Sequence, residues 1–165
     1  MKTPYYNLLA LLGLVLLCTE SCVQPPDYVK EPVITFERLS KNVMRQGGTD
    51  SLLMVFNFTD GDGDLGDAEN LANVFLTDTR DGSSFITFSM PLVPVRGAGN
   101  GISGEVSVVL RANAPICCIP PIGLRPCEFY PQFPSDTLIY EIQLQDRAGN
   151  LSNVIQSAPI FLQCD

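Results

Sequence analysis

Apolar and polar residues alternate along much of this chain with a period of two. Between Ser51 and Phe58, Leu52, Met54, Phe56 and Phe58 fall on one face, and Leu53, Val55 and Asn57 on the other. Such alternation marks a strand whose two faces meet different surroundings, and the wholly apolar set is the core candidate. Val106, Val108 and Leu110 repeat the pattern within 105–111, and Leu138, Tyr140, Ile142 and Leu144 repeat it within 137–145. Shorter runs at 33–39, 73–77, 85–89 and 154–162 bring the set to seven. Asp81-Gly82, between the third and fourth runs, is a tight-turn signal. Beyond the first 22 residues no spacing of 3.6 persists, and the one helical turn expected lies at 67–73. The pattern predicts an all-β chain, a β-sandwich of about seven antiparallel strands.

The start of the chain follows another rule. Residues 8–17 are an unbroken apolar run behind Lys2, followed by Thr19, Glu20, Ser21 and Cys22. A basic start, a short apolar core and a small residue before the cut make a secretory signal. The run is too short to span ~30 Å of hydrocarbon, which takes about 20 residues. A cysteine directly after the small residue resembles a bacterial lipoprotein signal, in which the thiol of the new N-terminal residue takes a diacylglycerol. Cys22 follows Ser21 and fits, whereas Cys18 follows Leu17, too large for the peptidase pocket. Thr19 and Glu20 depart from the usual upstream pair. The alternative is an ordinary cut within 19–22 that leaves a soluble secreted protein. On the lipoprotein reading, 1–21 is the signal, 22–32 the lipidated cysteine and a tether stiffened by Pro25-Pro26, and 33–165 the folded domain.

Phe58-Thr59-Asp60-Gly61-Asp62-Gly63-Asp64-Leu65-Gly66 and the late Asp146-Arg147-Ala148-Gly149-Asn150-Leu151-Ser152-Asn153, behind such a signal, resemble small Ig-like lipoproteins of the Bacteroidota. The likeness covers roughly 33–164. It implies an Ig-like sandwich anchored to the outer membrane through its N-terminal lipid. Surface-exported members usually carry an acidic cluster after the cysteine; here only Asp27 answers to it, so surface and periplasmic face both stay open. An Ig-like order, strands A to G, puts the loop after B, the D–E loop (90–104) and the F–G loop at one end, beside the start of strand A. The A–B loop, the E–F loop and the C-terminus then share the other end.

Asp60, Asp62, Asp64, Asp67 and Glu69 fall within ten residues, with glycines between them. Carboxylates this close repel, and glycines let the backbone curl so that their oxygens converge. Ca²⁺ takes 6–8 hard oxygens and turns that repulsion into binding. The Asp-x-Asp-x-Asp spacing matches the first half of an EF-hand loop. Leu65 then stands where glycine belongs and Leu71 where the bidentate glutamate belongs, which rejects an EF-hand and leaves a sandwich-loop site. Asp146 and Asn150 of the F–G loop are candidates to complete it. The competing reading is a solvated acidic turn paired with Arg147.

Cys117, Cys118, Cys127 and Cys164 remain besides Cys22, and outside the cytoplasm they should form disulfides. Adjacent Cys117 and Cys118, about 3.8 Å apart at Cα, are too close for a relaxed mutual bridge. Two pairings stay open: 117–127 with 118–164, or 118–127 with 117–164. Either staples the Pro-rich E–F loop (112–135) to itself and to the end of strand G. That loop carries Ile116, Ile119, Ile122, Leu124, Phe129, Tyr130 and Phe133, which suit either a contact surface or a plug over one end of the sandwich.

Ten basic and 18 acidic residues give a net charge of −8, which argues against nucleic acid as a partner. The chain holds no histidine, and so lacks the commonest general base and transition-metal ligand. No Gly-x-Ser-x-Gly or phosphate loop occurs. The expectation is a non-catalytic binding module for an envelope protein or a glycan. Two rivals are an accessory subunit of an outer-membrane β-barrel complex and a small hydrolase using paired carboxylates.

Overall fold

A computed structural model describes residues 27–82, 85–94, 101–112, 116–121 and 123–165; the signal, Cys22 and the first part of the tether lie outside them, as does Ile122. The chain is all-β. The described strands are β1 (Val33–Leu39), β2 (Val43–Arg45), β3 (Ser51–Asp60), β4 (Val74–Asp78), β5 (Phe85–Phe88), β6 (Ile102–Arg111), β7 (Ser135–Leu138), β8 (Tyr140–Leu144), β9 (Ile155–Gln156) and β10 (Ile160–Gln163). They pair in the orders β1-β3-β6, β2-β10-β7 and β5-β4-β8-β9. β7 and β8 are halves of one strand parted at Ile139, and β9 and β10 are halves of another parted at 157–159. The last two sets therefore form one surface, packed against β1-β3-β6 as an Ig-like sandwich.

Local chemistry explains where the seven expected strands become ten. The Ile139 carbonyl leaves the ladder to accept the Thr79 amide at 3.1 Å and the Thr79 hydroxyl at 3.0 Å. In the last strand, Pro159 has no N–H to give. There the Ser157 hydroxyl accepts the Tyr140 amide at 3.0 Å, just as the Ser152 hydroxyl accepts the Leu144 amide at 2.9 Å. The first strand divides because β2 crosses to pair in parallel with β10, Met44 opposite Leu162. Residues 67–73 are not a helical turn; no helix occurs among the described residues. Asp67 instead bridges Pro91, and Asn70 sits at φ 58°.

The core follows the period-two reading. Leu52, Met54, Phe56 and Phe58 are buried, and opposite them lie Leu76, Tyr140, Ile142 and Leu144. Val55, on the outer face, is buried as well, beside the bulge that sets Arg38 rather than Glu37 opposite it. Burying each large apolar side chain contributes roughly 1.5–3 kcal/mol. One polar clamp joins the two sheets: the Asn153 side chain accepts the Ile34 amide at 2.8 Å and donates to the Ile34 carbonyl at 2.9 Å.

The two ends are built as the strand order requires. A Cβ on Gly61 would lie 2.4 Å from the Tyr28 carbonyl oxygen, so the tether runs directly beside the loop after β3. At the far end Gln46 accepts the Cys118 amide at 3.0 Å and donates its own amide to Gln163 at 2.9 Å. The bridges are Cys117–Cys127 and Cys118–Cys164. Adjacent side chains in extended backbone point opposite ways. Cys118 turns inward to Cys164 beside β10, which leaves Cys117 to close its own loop.

Candidate metal centre

β3 delivers Asp60 to the end of the sandwich, fully buried. The next turns need glycine: Gly63 and Gly66 sit at φ 72° and 76°, where a side chain is strained. Between them Leu65, fully buried, drops into the core and anchors the loop. That is why this position, glycine in an EF-hand, is leucine here. From the other sheet β8 runs into a tight turn closed by Gly149 at φ 91°, with the Gly149 amide donating to the Asp146 carbonyl at 3.2 Å.

The two loops are sewn together. The Arg147 amide donates to the Asp64 carbonyl at 3.2 Å, and the Ala148 amide to Asp64 Oδ2 at 3.0 Å. The Asp64 amide donates to Asp60 Oδ2 at 2.9 Å. Asn150 gives Asp146 two bonds, its backbone N–H to Oδ1 at 2.7 Å and its side-chain amide to Oδ2 at 2.8 Å. Asn150 thus positions a carboxylate.

Asp60, Asp62, Asp64 and Asp146 each place one carboxylate oxygen within 4.8 Å of the others. Ca²⁺ bonds oxygen at roughly 2.3–2.6 Å, so its shell is about 5 Å across and spans this set. Asp60 Oδ1 and Asp64 Oδ1 are buried without a hydrogen-bond partner. A buried carboxylate oxygen without a partner is costly, and a cation is one group that satisfies such oxygens.

Arg147 forms no ion pair with these carboxylates among the described residues, although the rise in pKa that burial causes at Asp64 is partly offset by the Ala148 amide and the Arg147 charge. Arg147 Nη1 donates to the Leu65 and Gly66 carbonyls at 3.0 and 3.2 Å. Burial pushes the Asp60 carboxyl up to about 6, helped by the charges of Asp62, Asp64 and Asp146 and opposed by the Asp64 amide. Burial also raises Asp64, with Asp146 and Asp62 adding to it.

These shifts set a sign. In chelator the folded chain keeps the Asp60 proton up to about pH 6, whereas an unfolded chain releases it near ~3.9. The folded state binds more protons across that window, so metal-free stability falls as pH rises from about 4 to 6. With Ca²⁺ bound the slope should reverse, because protons compete for the same oxygens. Urea midpoints at pH 5 and pH 7, each with EDTA and with Ca²⁺, check both signs.

Two of the expected ligands lie apart from the cluster. Asp67 and Glu69 are not among the four carboxylates that converge. Gly66 packs so closely on the crossover after β5 that a Cβ there would sit 2.0 Å from the Pro91 carbonyl oxygen. The chain therefore turns away at Gly66. Asp67 donates its amide to Met90 at 3.1 Å and accepts the Glu69 amide on its carboxylate at 2.6 Å.

The opposite end holds a charged clasp that the sequence did not reveal. Arg80 donates to both Asp78 oxygens, to Asp136 Oδ2 and to the Cys117 carbonyl, the last at 3.0 Å. Asp136 Oδ2 also accepts the Ile119 amide at 2.8 Å. An arginine in a Thr-Arg-Asp-Gly turn reads as solvated; only the fold brings Asp136 and the stapled loop onto it. A cleft of about 510 Å³ opens there, lined by Tyr130, Phe133, Glu128 and Asp136 among others. Its polar groups bond one another: Tyr130 donates to Glu128 at 2.9 Å and accepts the Arg125 amide at 3.1 Å. Ile116, Cys117 and Cys118 are buried whereas Phe129 is 53% exposed, so the first part of the loop covers this end and the second part faces solvent.

Fold and geometry define an Ig-like β-sandwich with a four-carboxylate cluster at one end and a disulfide-stapled loop at the other. Comparison with protein-family models, with curated proteins and with solved structures gave no match. No helix among the described residues is long and apolar enough to cross a membrane.

Proposed function

We propose that this chain is a lipid-anchored binding module of the outer membrane, acylated at Cys22, whose membrane-proximal end is fixed by one Ca²⁺. Its ligand is an envelope protein or a glycan. The observation that carries the metal is the pair of buried, partnerless oxygens on Asp60 and Asp64 within a cluster of four carboxylates. Calcium is favoured by an all-oxygen donor set in a chain without histidine. The anchor rests on the signal-like sequence before Cys22 and its likeness to lipoproteins of the Bacteroidota. A tether packed against Gly61 makes the cation a splint between anchor and domain. The non-catalytic reading is supported by the burial of Asp60 and Asp146 and by the bond from the Ala148 amide to the Asp64 carboxylate, which turn these groups to holding the loops together.

Saturation at a hundred times Kd stabilises by about 2.7 kcal/mol, which for a domain of this size is a rise in Tm of roughly 10 °C. Melting with EDTA, Ca²⁺ and Mg²⁺ tests the metal: a rise with Ca²⁺ well above that with Mg²⁺ is expected, and coincident curves contradict it. Mass spectrometry of the mature N-terminus tests the anchor, with a diacylglyceryl cysteine at position 22 expected. Co-purification from membranes in mild detergent identifies the partner, and turnover of glycosides or peptides by the purified chain would contradict the binding reading.

A further inference from the structure

The outer edge of β6 is a ten-residue strand without a neighbour among the described residues. Its polarity is set by its one partner. The Ala112 amide bonds the Asp50 carbonyl at 2.8 Å, continuing the register Leu52–Leu110, Met54–Val108 and Phe56–Val106. In an antiparallel ladder, residues then alternate in the side to which they turn their backbone groups. Even-numbered residues of β6 bond to β3, and Ser103, Glu105, Ser107, Val109 and Arg111 turn theirs to the open edge. The same five present their side chains on the outer face, while Val106, Val108 and Leu110 are buried.

This edge is complementary to itself. Antiparallel pairing of two copies about Val108 sets Glu105 of each opposite Arg111 of the other, and Ser107 opposite Val109. Centring on Ser107 sets Arg111 opposite Ser103, and centring on Val109 sets it opposite Ser107, so only the Val108 register joins unlike charges. Arg111 forms no ion pair among the described residues, whereas exposed Glu105 reaches Arg38 at 3.2 Å, a contact it can share. Beside the edge lies an apolar cleft of about 690 Å³, lined by Phe58, Phe88, Met90, Val106 and Val108. Leu92 and Val109 stand exposed on its borders, at 47% and 43%. A long open edge next to exposed apolar surface invites a strand.

We infer that this edge takes a second copy of the same chain, joining two β1-β3-β6 sheets into one six-stranded sheet about a twofold axis at Val108. The contact is isologous and closes, so it yields pairs and not fibres. Sedimentation of the full chain in density-matched detergent should find two copies per particle. Arg111→Glu places like charges opposite each other at both ends and should weaken pairing by tenfold or more. The swap Glu105→Arg with Arg111→Glu should restore it. Bonded residues across such an axis lie about 5.5 Å apart at Cα, within disulfide reach. Ser107→Cys with Val109→Cys should therefore give a covalent dimer in membranes on a non-reducing gel. A wild-type chain sedimenting as single copies, or pairing indifferent to Arg111→Glu, overturns the inference; so does a double-cysteine chain that stays monomeric.

Discussion

Arg80→Met should cost about 3–5 kcal/mol of stability, among the largest losses available to a single substitution here. The side chain is only 12% exposed and answers two carboxylates, Asp78 at 4% and Asp136 at 21%. Removing it leaves Asp78 charged, buried and unpaired, and strips the Cys117 carbonyl of a donor at 3.0 Å. A buried pair is worth little against apolar replacements of both partners, but breaking one side exposes the whole desolvation cost of the other. Arg80→Lys should fall between, since a compact ammonium cannot fork to Asp78, Asp136 and a carbonyl together. Urea unfolding at pH 7 measures all three chains. A loss below 1 kcal/mol for Arg80→Met would show that solvent reaches Asp78 and that the clasp is ornamental.

Removing the Cys118–Cys164 bridge by alanine at both positions should cost about 4 kcal/mol, against about 3 kcal/mol for the Cys117–Cys127 bridge. The difference is one of loop length: the first pair is separated by 46 residues and the second by 10. Closing the longer loop removes more freedom from the unfolded chain. The longer bridge also fastens the stapled loop to β10, beside whose Gln163 β2 ends at Arg45 and β7 begins at Ser135. Its loss should therefore bring protease cleavage within 119–135 as well as a lower Tm. Equal losses from the two double variants would contradict the loop-length argument.

Much of the fold was legible because burial on a two-residue period writes itself into the sequence. Leu52, Met54, Phe56 and Phe58 needed nothing more to be read as core, and all four are buried. What escaped was set by contacts distant in the chain. β2 is three residues long, too short for a period, and exists because β10 lies beside it. The bridging partners of Cys117 and Cys118 could not be told apart, since neighbours in sequence differ only in the direction the backbone gives them. Asp67 and Glu69 resembled ligands until Gly66 met Pro91. Asp146 was expected beside Asp60, and is there because the strand order sets the loops after β3 and β8 at one end. Arg80 left no mark at all, for its partner Asp136 lies 56 residues away.

The measurement closest to the centre of this account is calorimetric titration of Ca²⁺ into the chelator-treated chain at pH 7, beside the Asp60→Asn variant. The account predicts one ion per wild-type chain, and proton release on binding only when the titration is repeated near pH 5, below the Asp60 value of about 6. It predicts at least a tenfold weaker site in the variant. A wild-type chain that takes up no calcium at millimolar concentration, or a variant that binds as tightly as the wild type, would contradict it.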